Sequence, residues 1–262
     1  MVQLILMVVL LVLVGLPFLA DALKNAKALN DTAPRTFRLV RHISEDEVIA
    51  EFIRSDFENV AYSRYHDTLR DIVFKPNLLD QDESAKRRAL LLLRHRSLWR
   101  ELPTDTQWYE VCMTEADLGQ VRVFPRAHWV HIARGNFALT EVIRRMRSWQ
   151  KPSEDPFVQK ISSIRHGLSQ ERLETGSVLL IGLNENEPLT ILDGNHRFVA
   201  AALEGKVEKL RFVCGLSPKM TRCCWYRTNL FNLTRYSHNL IRHIVRHPEA
   251  ELKRLFQVSG QI

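Results

Sequence analysis

Residues 189–203 read LTILDGNHRFVAAAL, and this one stretch narrows the fold more than any other. LTIL is a short apolar run with strand character, DGNHR is a polar turn, and FVAAAL is an apolar helical run stopped by Gly205. A strand that turns directly into a helix needs neighbouring strands to complete its backbone hydrogen bonds. Residues 177–182 (SVLLIG) supply one, residues 184–188 the turn between them, and residues 210–214 another. The second half of the chain reads as a mixed sheet with helices, and the fold class as α+β.

The turn also has the chemistry of an anion site. Gly194 lets the backbone turn and approach a ligand with no Cβ in the way. The following helix directs free N–H groups and its positive dipole end at whatever lies above the turn. Arg197 adds a forked donor matched to phosphate oxygens, and His196 a further hydrogen bond or a proton shuttle near neutral pH. Asp193 would cap the helix, accept a substrate proton or hold a metal. The plainer alternative is that Asp193 only caps and Arg197 lies on the surface, since Asp-Gly-Asn is a common turn.

Asp193-Gly194-Asn195-His196-Arg197 followed by an Ala-rich helix resembles the signature of the ParB/sulfiredoxin-like superfamily, over residues 155–214, under a quarter of the chain. The resemblance implies that Gly194, Asn195, His196 and Arg197 contact nucleotide phosphates. Members include CTP-binding DNA-partitioning proteins, ATP-dependent sulfiredoxins and small-molecule kinases, so the implied cofactors are ATP or CTP with Mg²⁺, the metal held by Asp193. Asn195 stands where sulfiredoxins carry their reactive Cys, which argues against sulfinic-acid repair, and no helix-turn-helix like that of the partitioning proteins is found.

Upstream, Ser44-Glu45-Asp46-Glu47 reads as a capping box, followed by apolar residues at helical spacing from Val48 to Ala61. Residues 84–99 read as a second helix, residues 108–113, 120–124 and 129–132 as short strands, and residues 138–149 as an amphipathic helix. Pro152 and Pro156 mark a linker. The expected organisation is a segment 1–22, a helical region with short strands over 23–150, and a ParB/sulfiredoxin-like domain with a basic helical tail over 151–262.

Residues 2–20 are almost wholly apolar, and about 19 residues just cross a hydrocarbon core of about 30 Å. The expectation is a single-pass transmembrane helix, with Lys24, Lys27, Arg35, Arg38 and Arg41 holding the body on the cytosolic side. The alternative is a signal segment cleaved near Ala20-Asp21-Ala22, giving a secreted or lumenal protein in which Asn30 and Asn232 head glycosylation triplets.

The formal charge of +7 is concentrated at the other end. From Lys206 onward 11 basic residues face 3 acidic ones, and the remaining 205 residues are nearly neutral. Arg242, Arg246, Lys253 and Arg254 on a basic amphipathic tail would meet an anionic lipid surface or nucleic acid. His243 and His247 stand at metal-sharing spacing in the same tail, and Trp225 and Tyr226 beside Arg222 and Arg227 suit either base stacking or core packing. Four cysteines in a chain this long are too few for a disulfide scaffold, and without a Cys-x-x-Cys pair a structural zinc site is not expected. Glu171, with Glu174, is the nominated general base that would fold over the cradle, beside Asp193 and His196 as catalytic residues. The expected function is a membrane-anchored, nucleotide-phosphate-binding enzyme, a kinase or ATPase on a small or membrane-proximal substrate; the alternatives are a non-catalytic nucleotide or nucleic-acid module and a tethered scaffold.

Overall fold

The computed structural model describes residues 37–124, 129, 132–133, 137–148, 155–170, 176–227 and 235. In chain order they form β1 (Arg38–Ile43), α1 (Glu45–Asp56), α2 (His66–Phe74), α3 (Gln81–Trp99), β2 (Gln107–Cys112), β3 (Val121–Val123), α4 (Leu139–Arg147), α5 (Pro156–Ser169), β4 (Val178–Gly182), β5 (Leu189–Asp193), α6 (Asn195–Leu203) and β6 (Phe212–Leu216). The strands make one mixed sheet in the order β1-β2-β6-β4-β5-β3, with β4 parallel to β6 and β3 parallel to β5. The three central strands, β6, β4 and β5, come from after position 150 and are flanked by β1 and β2 on one side and β3 on the other, so the two halves of the chain share one sheet.

Helices cover both faces. Val178, Leu180, Phe212 and Cys214 join α4, α5 and α6 in one core, while Leu179, Ile181 and Val213 join α1, α2 and α3 in the other. This two-sided burial explains why β4 and β6 are continuous apolar runs: period-two alternation still operates, but both faces are dry. The alanines of α6 have the complementary cause. Ala200, Ala201 and Ala202 are fully buried, and small side chains let the helix lie close to the sheet and to α5.

No described helix is long and apolar enough to cross a membrane. The longest, α3, carries Asp82, Glu83, Lys86, Arg87, Arg88, Arg94 and Arg96 along its length. The expected fold class is therefore corrected to a mixed six-stranded α+β sheet with helices and, among the described residues, no transmembrane helix, so these residues give the single-pass localisation no support. Residues 2–20, to which the span was assigned, lie outside the described residues, as do the glycosylation triplets and all residues after Arg227 except Arg235.

Local differences have local causes. Arg38 and Arg41, expected as charges flanking the span, lie in the edge strand β1, which pairs antiparallel to β2. Ser44 caps α1 by accepting from the Glu47 N–H, while the Glu47 carboxylate is held by Arg41 and Arg211. Trp129, Ile132 and Ala133 are helical where a strand was expected. Pro156 opens α5 at its first turn, where its missing N–H costs nothing, with Asp155 as the cap.

Candidate functional site

β5 ends at Asp193, and the chain turns through Gly194 in the left-handed region, φ 86° and ψ 15°, into α6. A side chain there would be strained, and a Cβ would lie 3.1 Å from the Val178 Cα. The β4–β5 register slips between Leu179 and Leu180, so that Leu179 faces Asp193 and the turn is pressed onto the start of β4. Gly194 itself occupies the N-cap position, and no side chain caps α6. The Asp193 carboxylate lies instead against Arg197, Oδ2 accepting from Nη2 at 3.1 Å. The same Nη2 donates to the Ser177 carbonyl at 2.7 Å, while Nη1 and Nε make no hydrogen bond among the described residues. Asn195, at the first helical position, is 8% exposed with a buried Oδ1 that has no partner among the described residues.

Arg197 and Asp193 line a narrow cleft of about 10 Å³, partly open to solvent, together with Glu51, Phe52 and Ser55 of α1 and with Ser177. Glu51 is buried but well supplied with partners: the Ser177 hydroxyl donates to it at 2.6 Å, Arg211 at 2.9 Å and Arg54 at 2.9 Å. Arg211 also reaches Glu110 at 3.0 Å and Glu47 at 3.3 Å, and Arg41 completes the lattice through both of those glutamates. The hydrogen bond from Arg41, above all, holds the Glu47 carboxyl below its usual range. One side of the cleft is therefore a neutralised carboxylate–guanidinium network, while the α6 side keeps uncommitted donors.

His196 does not join Arg197. Its ring packs against Trp129 at 5.3 Å and Phe157 at 4.8 Å, both belonging to the other core, on the opposite face of the sheet. Consecutive residues at the start of a helix point about 100° apart, and here that separation sends the two expected clamps to different sides. Glu171 and Glu174 lie outside the described residues, as do Arg242, His243, Arg246, His247, Lys253 and Arg254.

No family model, curated protein or solved structure matches the chain.

What the turn does is read from its own atoms. Mg²⁺ is usually held by one or two carboxylates together with substrate phosphates. Among the described residues no cluster of three or more His, Cys, Asp or Glu forms a metal site, so Asp193 fits a metal only alongside a ligand that brings its own oxygens. The residues sequence reading missed are Glu51, Ser55 and Ser177. Glu51 had a signal: it is an acidic residue inside the apolar stripe of α1, between Val48 and Phe52. Cys214, Cys223 and Cys224 are buried, and burial pushes the Cys223 thiol up to about 12, whereas Cys112 is exposed. Trp225 and Tyr226 are core residues, the indole donating to the Ser97 carbonyl and the phenol to the Pro188 carbonyl.

Proposed function

We propose that the protein binds a nucleotide, ATP or CTP, by its phosphates at the Asp193–Arg197 turn, and that it is a nucleotide-dependent enzyme of the kinase or ATPase class. The observation that carries the reading is the start of α6: a nine-residue helix with no side-chain cap, behind a left-handed Gly194, with Arg197 beside it using one of its three nitrogens. Free N–H groups at such a start favour phosphate oxygens. A buried Asn195 Oδ1 without a partner costs about 1–3 kcal/mol, and a ligand that offers hydroxyl donors as well as phosphate acceptors removes that cost. The likeness of the DGNHR turn to the ParB/sulfiredoxin-like superfamily points the same way.

In this reading Gly194 admits the phosphate, Arg197 binds it through Nη1, and Asn195 orients the ligand through its amide. Mg²⁺, held by Asp193 with the phosphates, supplies neutralisation of their charge. Asp193 also holds Arg197 in place through the existing ion pair. His196, packed between aromatic rings on the far face, takes no part in phosphate binding.

The competing reading is structural: Asp193, Arg197 and Ser177 form a closed turn lock, since Nη2 is already engaged. Phosphate release from ATP and CTP, with Mg²⁺, separates the two. Asp193→Asn should fold, melt near the wild-type temperature and lose most turnover. A folded variant with unchanged turnover, or a wild type that releases no phosphate, removes the enzyme from the proposal.

A further inference from the structure

A second basic group lies at the other end of β5. In β3, Val121 and Val123 are buried in the core shared with α4, α5 and α6, so period-two alternation turns Arg122 to the opposite face. It pairs in register with Thr190, which is buried and donates its hydroxyl to the Tyr226 carbonyl at 2.9 Å. Tyr226 is buried, and Arg227 stacks over its ring with Cζ 5.2 Å from the centroid. Arg122 and Arg227 therefore share one neighbourhood, whose acidic member is Glu187, 3.1 Å from Arg227.

The two arginines are served unequally. Arg227 has Glu187. Arg122 makes no hydrogen bond and no salt bridge among the described residues, and its Nε is completely buried without an acceptor. Burial, and after it the charge of Arg227, lowers the pKa of Arg122 from its ordinary value. A half-buried charge with no partner is costly and rarely kept without a counterion. Among the described residues two guanidinium groups, Arg122 and Arg227, act with the single carboxylate of Glu187, in a setting where planar forks match an oxyanion.

We propose that Arg122 and Arg227, over Tyr226 at the β3 edge, form a binding site for a phosphate group, separate from the Asp193–Arg197 turn. Thr190 precedes Asp193 by three residues, about 10 Å along the strand, so one phosphate does not reach both. The inference does not rest on nucleotide binding at the turn.

The test uses the full chain, with inorganic phosphate and glycerol phosphate as probes and NaCl holding ionic strength constant. Both the melting temperature and the phosphate affinity are read for wild type, Arg122→Met, Arg122→Lys and Arg197→Ala. Wild type and Arg197→Ala should show a saturable rise in melting temperature. Arg122→Met should lose affinity by about tenfold or more, and Arg122→Lys by a smaller factor because an ammonium lacks the fork. Without phosphate, Arg122→Met should melt no lower than wild type, since it removes an unpaired charge. If glycerol phosphate binds as well as inorganic phosphate, the site accepts a phosphate carried on a larger molecule; if it does not, the site is one for the free ion, and the proposal stands in both cases. The proposal falls if wild type shows no saturable shift, or if both Arg122 variants keep wild-type affinity while Arg197→Ala loses it.

Discussion

Arg87 in α3 and Arg197 in α6 are both drawn into the protein, and they end differently. Arg87 is fully buried and uses both terminal nitrogens: Nη1 donates to the Ile72 carbonyl at 3.2 Å and to Glu83 at 3.0 Å, Nη2 to the Asn77 carbonyl at 3.1 Å and to the Ser84 hydroxyl at 2.9 Å. Arg197 is 22% exposed and uses only Nη2. The first arginine ties the end of α2 and the loop after it to α3 through both terminal nitrogens, and only its buried Nε lacks an acceptor among the described residues. The second is anchored at one nitrogen and has donors left over beside an uncapped helix start. A buried charge whose partners are all within the protein serves the fold; one left partly unsatisfied at a cleft is where a ligand is to be sought.

The largest effect should come from the α2–α3 corner. Arg87→Met takes the guanidinium donor from the Ile72 and Asn77 carbonyls and from Glu83, which keeps only the Asn77 N–H, and should cost about 3 kcal/mol of stability. Chemical denaturation reads this directly, and the folded fraction should keep any nucleotide affinity unchanged. A variant as stable as wild type would erase the contrast between the two arginines.

Gly194→Val comes next, at about 2 kcal/mol, from a β-branched residue forced to positive φ. Unlike Arg87→Met, it should also remove ligand binding in protein that remains folded, because the turn can no longer lie against Val178. Loss of stability with full retention of binding would move the ligand away from the turn.

The smallest effect is a dependence on pH. The hydrogen bond from Arg144, ahead of other causes, lowers the Glu141 carboxyl from 4.5 to about 2, and Arg41 acts in the same sense on Glu47. A carboxyl depressed in the folded state contributes stability that is present above its unfolded pKa and lost as pH falls toward the folded value. Stability should therefore decline between about pH 4.5 and 2, by only about 0.5 kcal/mol per pair, because these pairs are solvent-screened. High salt should reduce the decline further, and a loss of stability on raising the pH from 5 to 7 would oppose this assignment.

Much of the sheet was legible because short apolar runs bounded by turn residues are local signals: residues 177–182, 189–192 and 210–214 lie in or beside β4, β5 and β6. β1 was not, since Arg38–Ile43 alternates weakly and is an edge strand with one buried residue, Ile43. The strand read over 129–132 failed because an aromatic-rich run buried against a helix looks like one buried in a sheet. At the site, the turn and its glycine were visible in the motif. That α1 would close over it was not, because Glu51 and Ser177 meet across 126 residues and only the folded sheet brings them together. Nor does sequence adjacency reveal that His196 and Arg197 face opposite sides.

The most direct test of the central claim is the affinity of the folded protein for ATP and for CTP, measured by calorimetric titration with and without Mg²⁺, in wild type and in Arg197→Ala. One charge-assisted hydrogen bond is worth about 1.5–3 kcal/mol, so the substitution should weaken binding by roughly tenfold to hundredfold, with Arg197→Lys only partly restoring it. A nucleotide that binds Arg197→Ala as tightly as wild type, or no nucleotide binding by wild type at all, would contradict the assignment of Asp193–Arg197 as a phosphate site.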